Sequence, residues 1–98
     1  MTFGKKSALR KFRHPIVEEL EKNRENIQNA LNKGIGPEFA IVKILVVDEK
    51  MKILINDAET FVYSIKDMPH NVQWHCFAII TIFLGELGVA KGVLVGRL

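Results

Sequence analysis

Ninety-eight residues leave room for one domain with one hydrophobic core. Hydrophobic residues make up 48% and charged residues 26%, a globular balance that excludes disorder over most of the chain. The formal charge of +3 is unevenly spread: Lys5, Lys6, Arg10, Lys11 and Arg13 precede Pro15 with no acid among them, while the other nine Lys and Arg face eleven acids.

Residues 1–14 therefore form a basic N-terminal segment on a slightly acidic body, within a single domain spanning 1–98. Such a segment suits attraction to phosphate or anionic lipid. A solubilising tail, or one docked on its own acidic body, explains it equally well. Ile16 and Val17 run straight into Glu18 and Glu19, so no apolar leader core follows the basic residues. Leu9, Phe12 and Ile16 share a helical face before the first acid, as in an organellar presequence. The segment is read instead as part of the fold or of an interface. Cys76 is the single cysteine, which rules out an internal disulfide and suits a reducing, cytoplasmic compartment.

Pro15 to Lys33 reads as one helix. Ile16, Val17, Leu20, Ile27 and Leu31 form a stripe, interrupted at Arg24. Pro15 suits a first helical position, Glu18 and Glu19 the positive end, Lys33 the negative end. Gly34, Gly36 and Pro37 stop it. In EFAIVKILVV, Phe39, Ile41, Leu45 and Val47 face one way with Lys43, and Ala40, Val42, Ile44 and Val46 face the other. Apolar residues on both faces predict a strand covered on both sides, by helices or by another subunit, with Lys43 at a gap or rim. Asp48-Glu49-Lys50 and Asn56-Asp57 read as turns between this strand, MKILIN and ETFVYSI, an antiparallel meander.

HNVQWHCFAIITIFLG, residues 70–85, is the most apolar stretch. A membrane span needs about 20 apolar residues. The uninterrupted run from Cys76 to Gly85 is ten, so no span is expected. Ile79, Ile80 and Ile82 favour a strand. The unbroken length from Val72 and Asn71 as a cap favour a helix, which is the reading taken here. Cys76, Phe77, Ile80, Phe83, Leu84 and Leu87 should then lie on the sheet, while His75, Ile79, Ile82 and Glu86 form a second stripe fit to contact a second subunit. After Gly88, Val93-Leu94-Val95 leaves room for a fourth edge strand. The fold class is two-layer α+β: N-terminal helix, three-stranded antiparallel meander, hydrophobic C-terminal helix.

Candidate sites are sparse. His75 and Cys76 diverge by about 100° on a helix, so they are no nucleophile–base pair. Cys76 is expected in the core. His70, His75, Asp67 and Glu86 are too scattered for a metal, and no cofactor is expected. The acids Asp48, Glu49, Asp57 and Glu59 crowd turns and read as solvated. Gly34-Ile35-Gly36-Pro37 lacks the Lys and Ser/Thr of a phosphate loop. Trp74 is expected against the sheet edge, with an interface or a stacked base as alternatives.

The order helix, three strands, helix, with GPEF before the strands, resembles in topology the double-stranded-RNA-binding domain. That family holds phosphates with lysines at the start of its second helix, where this chain reads HNVQWHCF. The first functional expectation is a non-enzymatic interaction module, joined as a homodimer or docked on an unidentified protein partner. The second is nucleic-acid binding through Lys5, Lys6, Arg10, Lys11 and Arg13. The third is a small-ligand carrier or enzyme with a pocket between the last helix and the sheet, near Tyr63 and His70.

Overall fold

A computed structural model describes Leu9, residues 12–34 and 36–90, and the backbone of Val93–Arg97. Two short helices, α1 (Pro15–Lys22) and α2 (Arg24–Asn32), lead into a single 3-10 turn at Pro37–Phe39. Three strands follow: β1 (Val42–Val47), β2 (Lys50–Ile55) and β3 (Ala58–Ser64), then α3 (His70–Glu86). This is the expected α+β arrangement, with a helix pair in place of the single N-terminal helix. The backbone of β4 (Val93–Arg97) runs parallel beside β1, with Val42 opposite Val93, for a sheet order β3-β2-β1-β4.

The helix breaks at Asn23, one residue before the interruption in the apolar stripe. Its backbone leaves helical values (φ −103, ψ 6), and its side-chain amide donates to the Glu19 carbonyl at 2.7 Å. Asn and Asp side chains commonly divert the chain in this way, by bonding nearby backbone. Both halves bury their apolar positions, Ile16, Val17 and Leu20 in α1 and Ile27 and Leu31 in α2. The basic segment also enters the core: Leu9 is buried and Phe12 packs against it half-buried. Lys5, Lys6, Arg10 and Lys11 lie outside the described residues, and Arg13 is exposed.

The first hairpin turn is one residue tighter than expected, and the second is the expected Asn56-Asp57 pair. Val47 pairs with Lys50 across Asp48-Glu49, and Ile55 with Ala58 across Asn56-Asp57. All four turn residues have positive φ (53°, 60°, 51° and 69°), as two-residue hairpins require to match strand twist. Antiparallel pairing sets Leu45 against Lys52 and Ile53 against Phe61, with a register shift after Ile53.

The last helix begins at His70 and is not capped by Asn71: Pro69 holds the cap position and no side chain closes it. Its face toward the sheet buries Cys76, Ile79, Ile80, Phe83 and Leu84. These meet Val42, Ile44 and Val46 of β1, Met51, Ile53 and Ile55 of β2, and Phe61 of β3 in one core. Among the described residues the helices cover one face of the sheet only. The molecule is a slab of 37 × 33 × 19 Å. Among the described residues no helix is long and apolar enough to cross a membrane.

Candidate functional site

Period-two alternation sends Ile41, Lys43, Leu45 and Val47, Lys50, Lys52 and Leu54, and Val62 and Ser64 to the face away from the helices. Lys43, Leu45, Val47, Lys52 and Leu54 are half-buried within the chain, while Ile41 and Val62 are 58% and 42% exposed. Of the two covers expected for β1, by helices or by another subunit, the described residues of this chain supply one. Phe39 sits in the turn before β1, 61% exposed, and is not part of the strand. Two of the three lysines on the open face have acids beside them: Lys43 Nζ is 3.5 Å from Asp57 Oδ1 and Lys52 Nζ 3.2 Å from Glu59 Oε1. Asp57 in the turn and Glu59, which lies within β3 and not in the turn where it was expected, thus temper the charge of the face, an apolar–lysine mosaic.

The stripe assigned to a second subunit proves to be a contact surface inside the chain. Ile79 is fully buried and Ile82 packs on the core half-buried. The His75 ring meets Phe12 at 5.4 Å and His14 at 6.5 Å, and Glu86 Oε1 lies 3.7 Å from Arg24. Its two ends thus meet the N-terminal part of the chain, His75 at Phe12 and His14 and Glu86 at Arg24 of α2. Arg24 explains its own place on the apolar stripe. It is paired with Glu21 through Nε at 3.0 Å and stands 5.0 Å over the Phe83 ring, clamping the two helix layers. The bond to Glu21, despite partial desolvation and helped by the charges of Glu21 and Glu86, raises its pKa above the usual guanidinium value.

One side of α3 stays in solvent. Asn71, Trp74, Ala78, Thr81 and Gly85 are exposed along it, Trp74 at 61%. Trp74 packs edge-on against Phe77 (5.8 Å between centroids) rather than against the sheet edge. No charged residue occurs from Asn71 to Gly85.

Sequence reasoning missed the neighbour of Cys76, because it lies 62 positions away. His14 Nε2 is 3.5 Å from Cys76 Sγ, and Met68 Sδ is 3.9 Å on the other side. His14 is the cap of α1, with Pro15 first in the helix. The Ile16 amide donates to His14 Nδ1 at 3.0 Å, which assigns the neutral ring proton to Nε2. The sulfur is nearly equidistant from the two ring nitrogens, 3.5 Å from Nε2 and 3.9 Å from Nδ1, so it lies off the Nε2–H axis and receives no directed hydrogen bond. The Ile16 bond alone fixes the tautomer. The same bond opposes metal ligation through Nε2, which would move the ring proton onto Nδ1, where the amide already points. Burial pushes the Cys76 thiol up to about 11, away from the thiolate range of reactive cysteines. Burial first, then the neighbouring His75, lowers the His14 pKa below its ordinary value. The cluster is a hydrogen-bonded helix cap.

Tyr63 and His70 are not brought together. Tyr63 lies 6.2 Å from His14 and stacks on Phe61, and burial, then Cys76 and Glu19, raise its pKa. His70 lines a surface depression of about 420 Å³ with Val46, Asp48, Glu49, Asp67 and Gln73. Among the described residues no three His, Cys, Asp or Glu side chains are grouped to hold a metal ion. No family model, curated protein or solved structure matches this chain.

Proposed function

We propose that this chain is a non-enzymatic interaction module that works as a homodimer, two copies packing sheet to sheet through their open faces. One observation carries the reading. Ile41, Leu45, Val47, Leu54 and Val62 occupy the uncovered face of the sheet, while the helices are committed to the other. A sheet buried on one face ordinarily alternates cleanly between apolar and polar residues. Here the alternation fails on the open side, and a second layer about 10 Å away would account for it. A two-fold arrangement presents the same patch on both copies. The heads of Lys43 and Lys52 sit beside acids, which lowers the cost of covering them. The first expectation, an interaction module, is kept, but its dimer surface moves from the α3 stripe to the sheet.

Sedimentation velocity over a wide concentration range tests this directly. Dimer mass rising with concentration, with little response to salt, supports the reading, and a monomer at the highest concentration removes it. Nucleic-acid binding is the second reading, favoured by Lys43, Lys50 and Lys52 on one face together with the basic N-terminal segment. No aromatic ring occurs among Ile41, Lys43, Leu45, Val47, Lys50, Lys52, Leu54, Val62 and Ser64, so base stacking, the usual grip of a sheet on single strands, has no platform there. Anisotropy with labelled DNA and RNA at low and near-physiological salt separates the two. Binding that persists at higher salt and is lost when the five N-terminal basic residues become Ser would replace the first reading.

A further inference from the structure

The charges of the open sheet face are unevenly placed along its strands. Strand pairing sets the face in rows: Val47, Lys50 and Ser64 lie level at one end, and Lys43, Leu54 and Glu59 lie level toward the other. Beyond that second row Ile41 is level with Asn56, whose amide donates to the Ile41 carbonyl at 2.8 Å. Asp57 follows in the same turn, 3.5 Å from Lys43 and with its side chain 83% exposed. The second end therefore has acids open to solvent, and the first has a cation alone. Among the described residues Lys50 makes no ion pair. Asp48 and Glu49, in the turn that joins Val47 to Lys50, line the depression beside His70 and Gln73 of α3 instead.

We propose that two copies meet end over opposite end, so that Lys50 of each faces the Asn56-Asp57 turn of the other. This rests on the sheet-to-sheet dimer argued above and fixes which residues of the second copy the face receives. Aligned sheets related by a two-fold axis have two arrangements. An axis along the strands lays like end on like end. Each Lys50 then finds only a row of Val47, Lys50 and Ser64, which has no acid in it. An axis across the strands exchanges the ends. Ile44 and Ile53 stand opposite each other at the middle of the face. Exchange about that level carries Val47 onto Ile41 of the second copy and Lys50 onto its Asn56-Asp57 turn. Ile41, 58% exposed in the single chain, is thereby covered by an apolar side chain. The unpaired cation of the face meets its most exposed acid. Pairs at such a wet rim choose an orientation more than they add strength, because water screens them.

Sedimentation of full-length Lys50→Ala gives the sign. With the ends exchanged, the dimer dissociation constant rises about threefold, and in Lys50→Glu about tenfold, since the two-fold repeats each contact twice. With like ends together, Lys50→Ala would remove a repulsion and tighten the dimer. Lys50 is exposed, and circular dichroism checks that the fold is kept. A second measurement uses the wild type: dimers mixed from ordinary and ¹⁵N-labelled chains are treated with a zero-length carbodiimide and digested. The expected product joins Lys50 to Asp57 in peptides of mixed isotope, while Lys43 joins Asp57 within one chain as the internal control. A dimer that Lys50→Ala leaves as tight or tighter, or in which Lys50 is joined only to acids of its own chain, overturns the arrangement and leaves the dimer standing. A wild type that stays monomeric at every concentration removes both.

Discussion

The two faces of one sheet follow different rules. Toward the helices, Val42, Ile44, Ile53, Ile55 and Phe61 are apolar without exception and closed to solvent. Away from them, Ile41, Leu45, Val47, Leu54 and Val62 alternate with Lys43, Lys50 and Lys52 and keep contact with water. Neighbours in sequence thus live in different environments. Alternation decides which face a residue joins, but only the placement of the helices decides which face becomes core. The open face is too apolar for a surface meant only for water and too charged for an interior, a balance that fits a surface covered by association.

Ile53 and Leu54 make the sharpest contrast, being adjacent on β2. Ile53→Ala should cost about 2–5 kcal/mol in urea unfolding, because a closed cavity remains. Leu54→Ala, measured at dilution where the chain is monomeric, should cost less than about 1 kcal/mol, since water refills the space. Equal losses would mean that the two faces do not differ as described. Arg24 tests the seam within the covered layer. Arg24→Met keeps the stem over Phe83 but strands Glu21, whose side chain is 7% exposed. A loss of about 1–3 kcal/mol follows from a desolvated acceptor without its partner, and an unchanged urea midpoint would show that the clamp contributes nothing.

The smallest effect belongs to His14. Its pKa is lowered in the folded chain, so the unfolded chain takes up the proton first. The stability contributed by neutral His14 is then complete above the ordinary value near 6.5 and falls as pH drops through it toward the lower folded value. Protonation also removes the acceptor that caps the Ile16 amide. Urea midpoints between pH 8 and 5 should decline toward acid in the wild type, and decline less in His14→Asn, which keeps a capping acceptor but does not titrate.

Much of the fold was legible because it rests on local rules. Asp48-Glu49 and Asn56-Asp57 announce tight turns, and the strands between them alternate with period two. The α3 helix was readable from its unbroken length despite a run of four β-branched residues, Ile79, Ile80, Thr81 and Ile82. What escaped was set by packing between distant segments. The break at Asn23 depends on a side-chain bond to Glu19 that competes with the helix. Which flank of α3 turns inward depends on where α1 and α2 lie, so Ile79 was assigned to a partner it cannot reach. The His14–Cys76 contact spans 62 positions, and no spacing rule signals it. At the candidate site the apolar content of both faces of β1 was legible. Which face the chain leaves open was not.

The most direct measurement is sedimentation velocity on two single-lysine variants, one for each of the molecule's two uncommitted surfaces. Leu45→Lys places a charge at the centre of the open sheet face, and Ala78→Lys places one on the outer side of α3. If the sheet faces pair, wild type and Ala78→Lys sediment as dimers at the same concentration and Leu45→Lys sediments as a monomer with an unchanged circular dichroism spectrum. A dimer that survives Leu45→Lys but dissociates in Ala78→Lys, or a wild type that never dimerises, would contradict the account.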